Sequence, residues 1–106
     1  DMVKKFLVAI GAGWRDAIKD PKAAAAALVK RNPAADAALE QRRLQLAIDA
    51  NVLTDYVKAN GMGGVDSSRF AAAIEQLSET YEYKAAPNAA LYFTDEYLPA
   101  SGISLN

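Results

Sequence analysis

The stretch DMVKKFLVAIGAGWRDAIKDP, residues 1–21, decides the fold class. Val3, Leu7, Ile10, Trp14 and Ile18 follow one another at steps of four, three, four and four. That spacing gathers side chains on one face of an α-helix. Asp1 supplies an N-cap carboxylate, and Lys4, Lys5, Arg15 and Asp16 fall on other faces. Gly11 and Gly13 each weaken a helix by about 1 kcal/mol relative to Ala. Two glycines beside Trp14 therefore predict close approach by a neighbouring element. Asp20-Pro21 then restarts the chain, with an Asp cap followed by Pro at the first helical position.

The same devices recur downstream. Ala23 to Ala27, with Leu28 and Val29, extends a second helix to about Lys30. Lys30 and Arg31 suit its negative C-terminal end. Asn32-Pro33 repeats the cap-then-Pro pattern and predicts a third helix from about Pro33 to Ala50, with Asp36 near its positive end. Thr54 caps a short helix through Ala59, which Asn60-Gly61 ends. Asp66 caps a helix whose Phe70, Ile74, Leu77 and Tyr81 step by four, three and four. Ala85 to Asn88 is a break, Ala89 to Phe93 reads as a short helix or an extended stretch, and Thr94-Asp95-Glu96 caps a turn before Pro99. Ala100 to Asn106 is expected to be a loose tail. The pattern predicts an all-α architecture of five to six short helices in one segment, 1–106, with its core on the stripes Val3–Ile18 and Phe70–Tyr81.

Composition narrows the function. The 106 residues include 23 Ala, and 12 basic against 13 acidic side chains give a net charge of −1. There is no His and no Cys. The commonest zinc, haem and iron–sulfur ligands are therefore missing, so no cofactor and no metal are expected. Nucleophilic catalysis through Cys or a Ser–His pair is impossible, and the chain is not expected to be an enzyme. A near-neutral chain is a poor nucleic-acid binder. No run approaches the roughly 20 apolar residues of a membrane span. Residues 1–53 carry net +3 and residues 54–106 net −4, a polarity read as solvated charge.

Four constellations hold residue types that could carry chemistry. Gly61-Met62-Gly63-Gly64 lacks a preceding strand and a following Lys-Ser/Thr, so it reads as an inter-helix turn and not a phosphate loop. Trp14, Tyr56, Tyr81, Tyr83, Phe93 and Tyr97 could form an aromatic pocket, but Trp14 and Tyr81 sit on apolar stripes and read as core. Arg42 and Arg43 point about 100° apart on a helix and do not share one anion. Asp95-Glu96, and Glu75 with Glu79 one turn apart, read as solvated carboxylates.

Taken in order, four stretches carry a resemblance. They are Gly13-Trp14-Arg15-Asp16-Ala17-Ile18 before Asp20-Pro21; Asn32-Pro33; Asn60-Gly61-Met62-Gly63-Gly64-Val65-Asp66 before the Ile74 helix; and Ala90-Leu91-Tyr92-Phe93-Thr94-Asp95-Glu96-Tyr97-Leu98-Pro99. Together they resemble the C-terminal part of periplasmic substrate-binding proteins for ABC importers, in the branch of nitrate, sulfonate, taurine and thiamine-pyrimidine-precursor binders. The resemblance implies a two-lobe α/β protein of which these residues are the helical C-terminal segment. It implies a non-enzymatic, extracytoplasmic role in which a small polar solute is captured for a permease. Asp1 is not an initiator residue, which fits a segment of a longer chain. The family's ligand contacts come mainly from its other parts; Trp14, Tyr56 and Met62 are the ligand-binding candidates in this sequence. A segment separated from its lobes is expected to expose an apolar stripe and to form a homo-dimer. The alternative is a free-standing helical protein-interaction module with an apolar groove for a partner helix.

Overall fold

A computed structural model describes all residues, 1–106. It contains five α-helices and no strand: α1 Met2–Lys19, α2 Pro21–Arg31, α3 Ala37–Ala47, α4 Asp55–Asn60 and α5 Ser67–Thr80. A π turn, Ile48–Val52, follows α3, and a single 3-10 turn, Ala89–Leu91, follows α5. The fold is all-α.

Each α-helix starts on a side-chain cap. Oxygens of Asp1, Asp20, Asp36, Thr54 and Asp66 accept hydrogen bonds from the backbone N–H groups of Val3, Ala23, Leu39, Val57 and Arg69. Such a bond satisfies one of the four donors that a helix start leaves free. The third cap corrects the sequence reading. Asn32-Pro33 does not open a helix: the Asn32 N–H closes α2 on the Leu28 carbonyl, and Ala35 N–H donates to Asn32 O at 3.0 Å in a turn. A residue before Pro is steered away from the helical region, and Asn32 sits at φ −132°, ψ 86°. Asp36, with a charged carboxylate, starts the helix instead, at 2.7 Å from Leu39 N.

The α2–α3 pair is the most closely associated part of the chain, and α1 also packs on α2. The Ala run lets these backbones approach, and Ala25 is buried. The α-helical pattern does not run on to Ala50 as the sequence predicts. It gives way after Ala47 to the π turn, in which Leu53 N–H donates to Ile48 O at 2.8 Å. This wider turn places Ile48 inward at 2% exposure, the most deeply buried large side chain.

The end of the chain is not a loose tail. Met62 and Ile103 exchange two backbone hydrogen bonds, at 2.8 and 2.9 Å, as an isolated antiparallel bridge. Ile103 and Leu105 are buried, and Arg15 Nη1 donates to Ser104 O at 2.9 Å. The crossing requires glycine on both segments. Gly61 (φ +77°) and Gly102 (φ +68°) lie so close that a Cβ on either would strike the other's backbone. Gly11 of α1 is buried against the Ile103 side chain, so one of the two glycines beside Trp14 marks a close approach. Gly13 has nothing within 4 Å of its Cβ position.

Packing around this crossing is sparse. Only 5 of 106 residues are buried, and the two expected core stripes are covered in part: Leu7, Trp14, Ile18, Phe70 and Ile74 are half-buried. Val3, Ile10, Leu77 and Tyr81 are exposed. Tyr81 lies just past α5 with an extended backbone, off the helical stripe. The radius of gyration is 17.1 Å, against about 13 Å for a compact chain of this length. The accessible surface is 8175 Å², against about 5,700 Å² for a folded monomer of this mass. No salt bridge joins the basic and acidic halves; the ion pairs, Arg43–Glu40 and Lys58–Asp55, are each one helical turn long.

Candidate functional site

The glycine-rich turn between α4 and α5 shapes two open concavities. Gly61 ends α4, Gly63 (φ +105°) redirects the chain, and Asp66 starts α5. Gly64 leaves room for Tyr56, whose hydroxyl lies 3.8 Å from where a Gly64 Cβ would stand. The result is a hollow of about 490 Å³ bordered by Asn51, Thr54, Tyr56, Asp66, Arg69 and Phe70. Tyr56 also borders a hollow of about 360 Å³ with Asn60, Asp95 and Leu98. Tyr56, Gly64 and Val65 thus border both hollows.

Asp66 is committed to its helix. Its carboxylate accepts from Ser68 Oγ at 2.5 Å and from Arg69 N at 2.8 Å. Those bonds, the Ser68 hydroxyl first, hold its pKa below the ordinary value of 3.8. A carboxylate at this position repels an anion from the start of α5, which agrees with the inter-helix-turn reading of the glycines. Because the folded-state pKa is lowered, the cap is fully effective above the carboxyl's ordinary range. It is lost as pH falls through the folded value. Asp66→Ala is expected to lower the urea midpoint, read by 222 nm ellipticity, near pH 7. The difference from wild type should shrink as pH falls from 7 through the lowered folded value, where the charged cap is lost. An equal difference across that range would mean that the carboxylate charge is not what stabilises α5.

A third concavity, of about 500 Å³, is apolar. Val3, Leu7 and Ile10 of α1 form one wall, and Met62, Phe93, Tyr97, Leu98 and Ile103 line the remainder. Tyr97 is its one acidic hydroxyl. A hydrogen bond to Glu96 and that carboxylate's charge raise the phenol's pKa above its ordinary value.

The three candidate residues do not converge. Tyr56 borders the polar hollows, Met62 lines the apolar trough, and Trp14 is half-buried on α1 and borders none of the three. The aromatic set is likewise divided. Phe93 meets Phe70 edge-on with ring centres 6.3 Å apart, while Tyr81 and Tyr83 form a separate exposed pair at 6.2 Å. Arg43 pairs with Glu40 at 2.7 Å, leaving Arg42 exposed and unpaired with it. No three acidic side chains gather where they could hold a metal ion. No helix is long and apolar enough to cross a membrane.

Sequence reasoning took Asp66 as a cap and missed that Arg69 borders the same hollow. The signal was present: residues three apart on a helix share a face. It also missed Ile103 and Leu105, whose alternation around Ser104 is the period-2 signature of extended, half-buried backbone.

Compared with protein-family models, with curated proteins and with solved structures, the chain matches none.

Proposed function

We propose that these residues act as the helical C-terminal portion of the solute-binding component of an ABC-type uptake system. The role is non-enzymatic and extracytoplasmic: the whole receptor captures a small polar solute and delivers it to a permease. Two lines support this reading. One is the ordered resemblance of four stretches described above. The other, which carries it structurally, is the surplus of surface. The chain exposes 8175 Å², roughly 2,400 Å² more than a self-sufficient monomer of its mass. A segment that finishes its core against further polypeptide is expected to look this way. In such a receptor the Tyr56 hollow is the polar face closest in character to a solute site, since it offers hydroxyl, amide and guanidinium groups.

A free-standing helical interaction module is the second reading, and the apolar trough along α1 favours it. One experiment separates the two. The protein is isolated from its own cells, its intact mass is measured, and it is titrated calorimetrically with nitrate, taurine and the pyrimidine precursor of thiamine. A mass several-fold above 11.3 kDa, release by osmotic shock and saturable heat with one of these solutes are expected. A mass of 11.3 kDa would overturn the receptor reading and favour the module.

A further inference from the structure

The apolar arc of α1 is wider than anything the chain lays against it. At 100° per residue, Ala9, Met2, Gly13, Phe6, Ala17, Ile10, Val3, Trp14, Leu7, Ile18 and Gly11 fall in that order around about 200° of the helix. The Gly11 end is covered: Ile103 packs on Gly11, and Leu7, Trp14 and Ile18 are half-buried. The other end is bare. Met2 is 84% exposed, Phe6 63%, Val3 44% and Ile10 40%. Gly13 lies among them with open space where a side chain would be. The bare sector runs directly into the apolar trough, because Val3 and Ile10 belong to both.

We propose that, in the 106-residue chain, this face is covered by the α1 helix of a second copy, packed antiparallel about a two-fold axis. Exposure supports that occupant. Met2, Val3, Phe6 and Ile10 stand exposed together on this sector, and a two-fold pair covers both sets at once. Charge supports the orientation. Lys5 and Asp16 lie some 20° apart at the same edge of the arc, next to Ala9, and both are exposed. Their positions sit near opposite ends of the helix. An antiparallel pair therefore brings Lys5 of one copy within side-chain reach of the partner's Asp16, twice by symmetry. A parallel pair about a two-fold would instead set this edge against the opposite edge of the partner's arc, so Lys5 and Asp16 would find no such match. The antiparallel register leaves Phe6 about 3 Å along the axis from the partner's Gly13, a large side chain beside the smallest. The inference concerns these residues as a free chain and does not rest on the receptor reading, in which further polypeptide occupies the same face.

Sedimentation velocity on the 106-residue chain at micromolar concentration tests it. A species of twice 11.3 kDa is expected. Phe6→Glu should raise the dissociation constant on the order of 100-fold or more, since it buries an unpaired charge, while Phe6→Leu keeps the dimer. Helicity at 222 nm checks that the variants fold. Lys5→Glu should weaken the dimer, and adding Asp16→Lys should restore it by reversing the pair; this exchange decides the matter if Phe6→Glu fails to fold. A chain that stays monomeric overturns the proposal. So does a dimer indifferent to folded Phe6→Glu or to the charge exchange. Neither result bears on the mass or solute binding of the natural gene product, by which the receptor reading is judged.

Discussion

A chain shortened to end at Ser101 is expected to lose most of its stability. The five residues removed include Ile103 and Leu105, two of the four buried apolar side chains. Truncating one buried aliphatic side chain typically costs about 2–5 kcal/mol, and here two are lost together. The deletion also removes both backbone bonds between Met62 and Ile103 and frees Arg15 from the Ser104 carbonyl. Gly11 would lose the Ile103 side chain that packs on it. Small domains have only about 5–15 kcal/mol to lose, and a chain with so few buried residues stands at the low end of that range. The shortened chain should therefore show a large fall in 222 nm ellipticity at 25 °C and no cooperative urea transition. The point variant Ile103→Ala should retain a transition with a midpoint well below wild type. An unchanged midpoint for the shortened chain would show that the terminal crossing does not hold α1 to the α4–α5 turn.

The importance of those residues also shows where reading by pattern stops. Helix starts were legible, because capping is local. An Asp or Thr two or three residues ahead of a free N–H acts through its own neighbours, as Asp1, Asp20, Thr54 and Asp66 do. Where two caps competed, locality was not enough. Asn32-Pro33 had the right residues, but Pro33 fixes the conformation that ends α2, and Asp36 captured the following helix. Burial was less legible still. The stripe on α1 announces that a face is apolar, yet its spacing does not say how much of that face the same chain will cover. Leu7 finds partial cover, while Val3, one turn earlier on the stripe, does not. Ile103 illustrates the converse. Its burial arises from a contact with Gly11 across 92 positions of sequence, a pairing that no window over residues 100–106 contains. The candidate site followed the same division. Tyr56 was legible as an aromatic near a loose turn, but its place beside two hollows depends on Gly64 yielding room and on the Asp95–Leu98 turn folding back.

Ile48→Ala is expected to cost about 3–4 kcal/mol, while Leu46→Ala, two residues earlier, costs under about 0.5 kcal/mol. The two side chains are of equal size and belong to one continuous helical stretch, so composition and propensity do not separate them. Geometry does. Leu46 is 69% exposed and Ile48 2%. The difference begins at Ala47, where the α-helix gives way to the π turn and the Ile48 carbonyl accepts from Leu53 rather than from residue 52. A wide turn turns the backbone further before its next hydrogen bond, and this one sets Ile48 inward. Gln45 Nε2 donates to Asp49 Oδ1 at 3.0 Å beside it, a second tie on the same turn. Because the Leu53–Ile48 bond fixes the backbone here, the turn has little freedom to collapse onto an Ala side chain. The space left by the missing atoms should remain largely open, which places the cost above the transfer term alone. Ile48→Val, which removes one methyl group, should fall at about 0.5–1.5 kcal/mol. Urea denaturation of the three variants beside wild type measures the series. Equal costs for Ile48→Ala and Leu46→Ala would mean that the π turn does not seat Ile48 in a core at all. The predicted order ties the one irregular turn of the helical region to the small core on which α1, α2 and α3 depend.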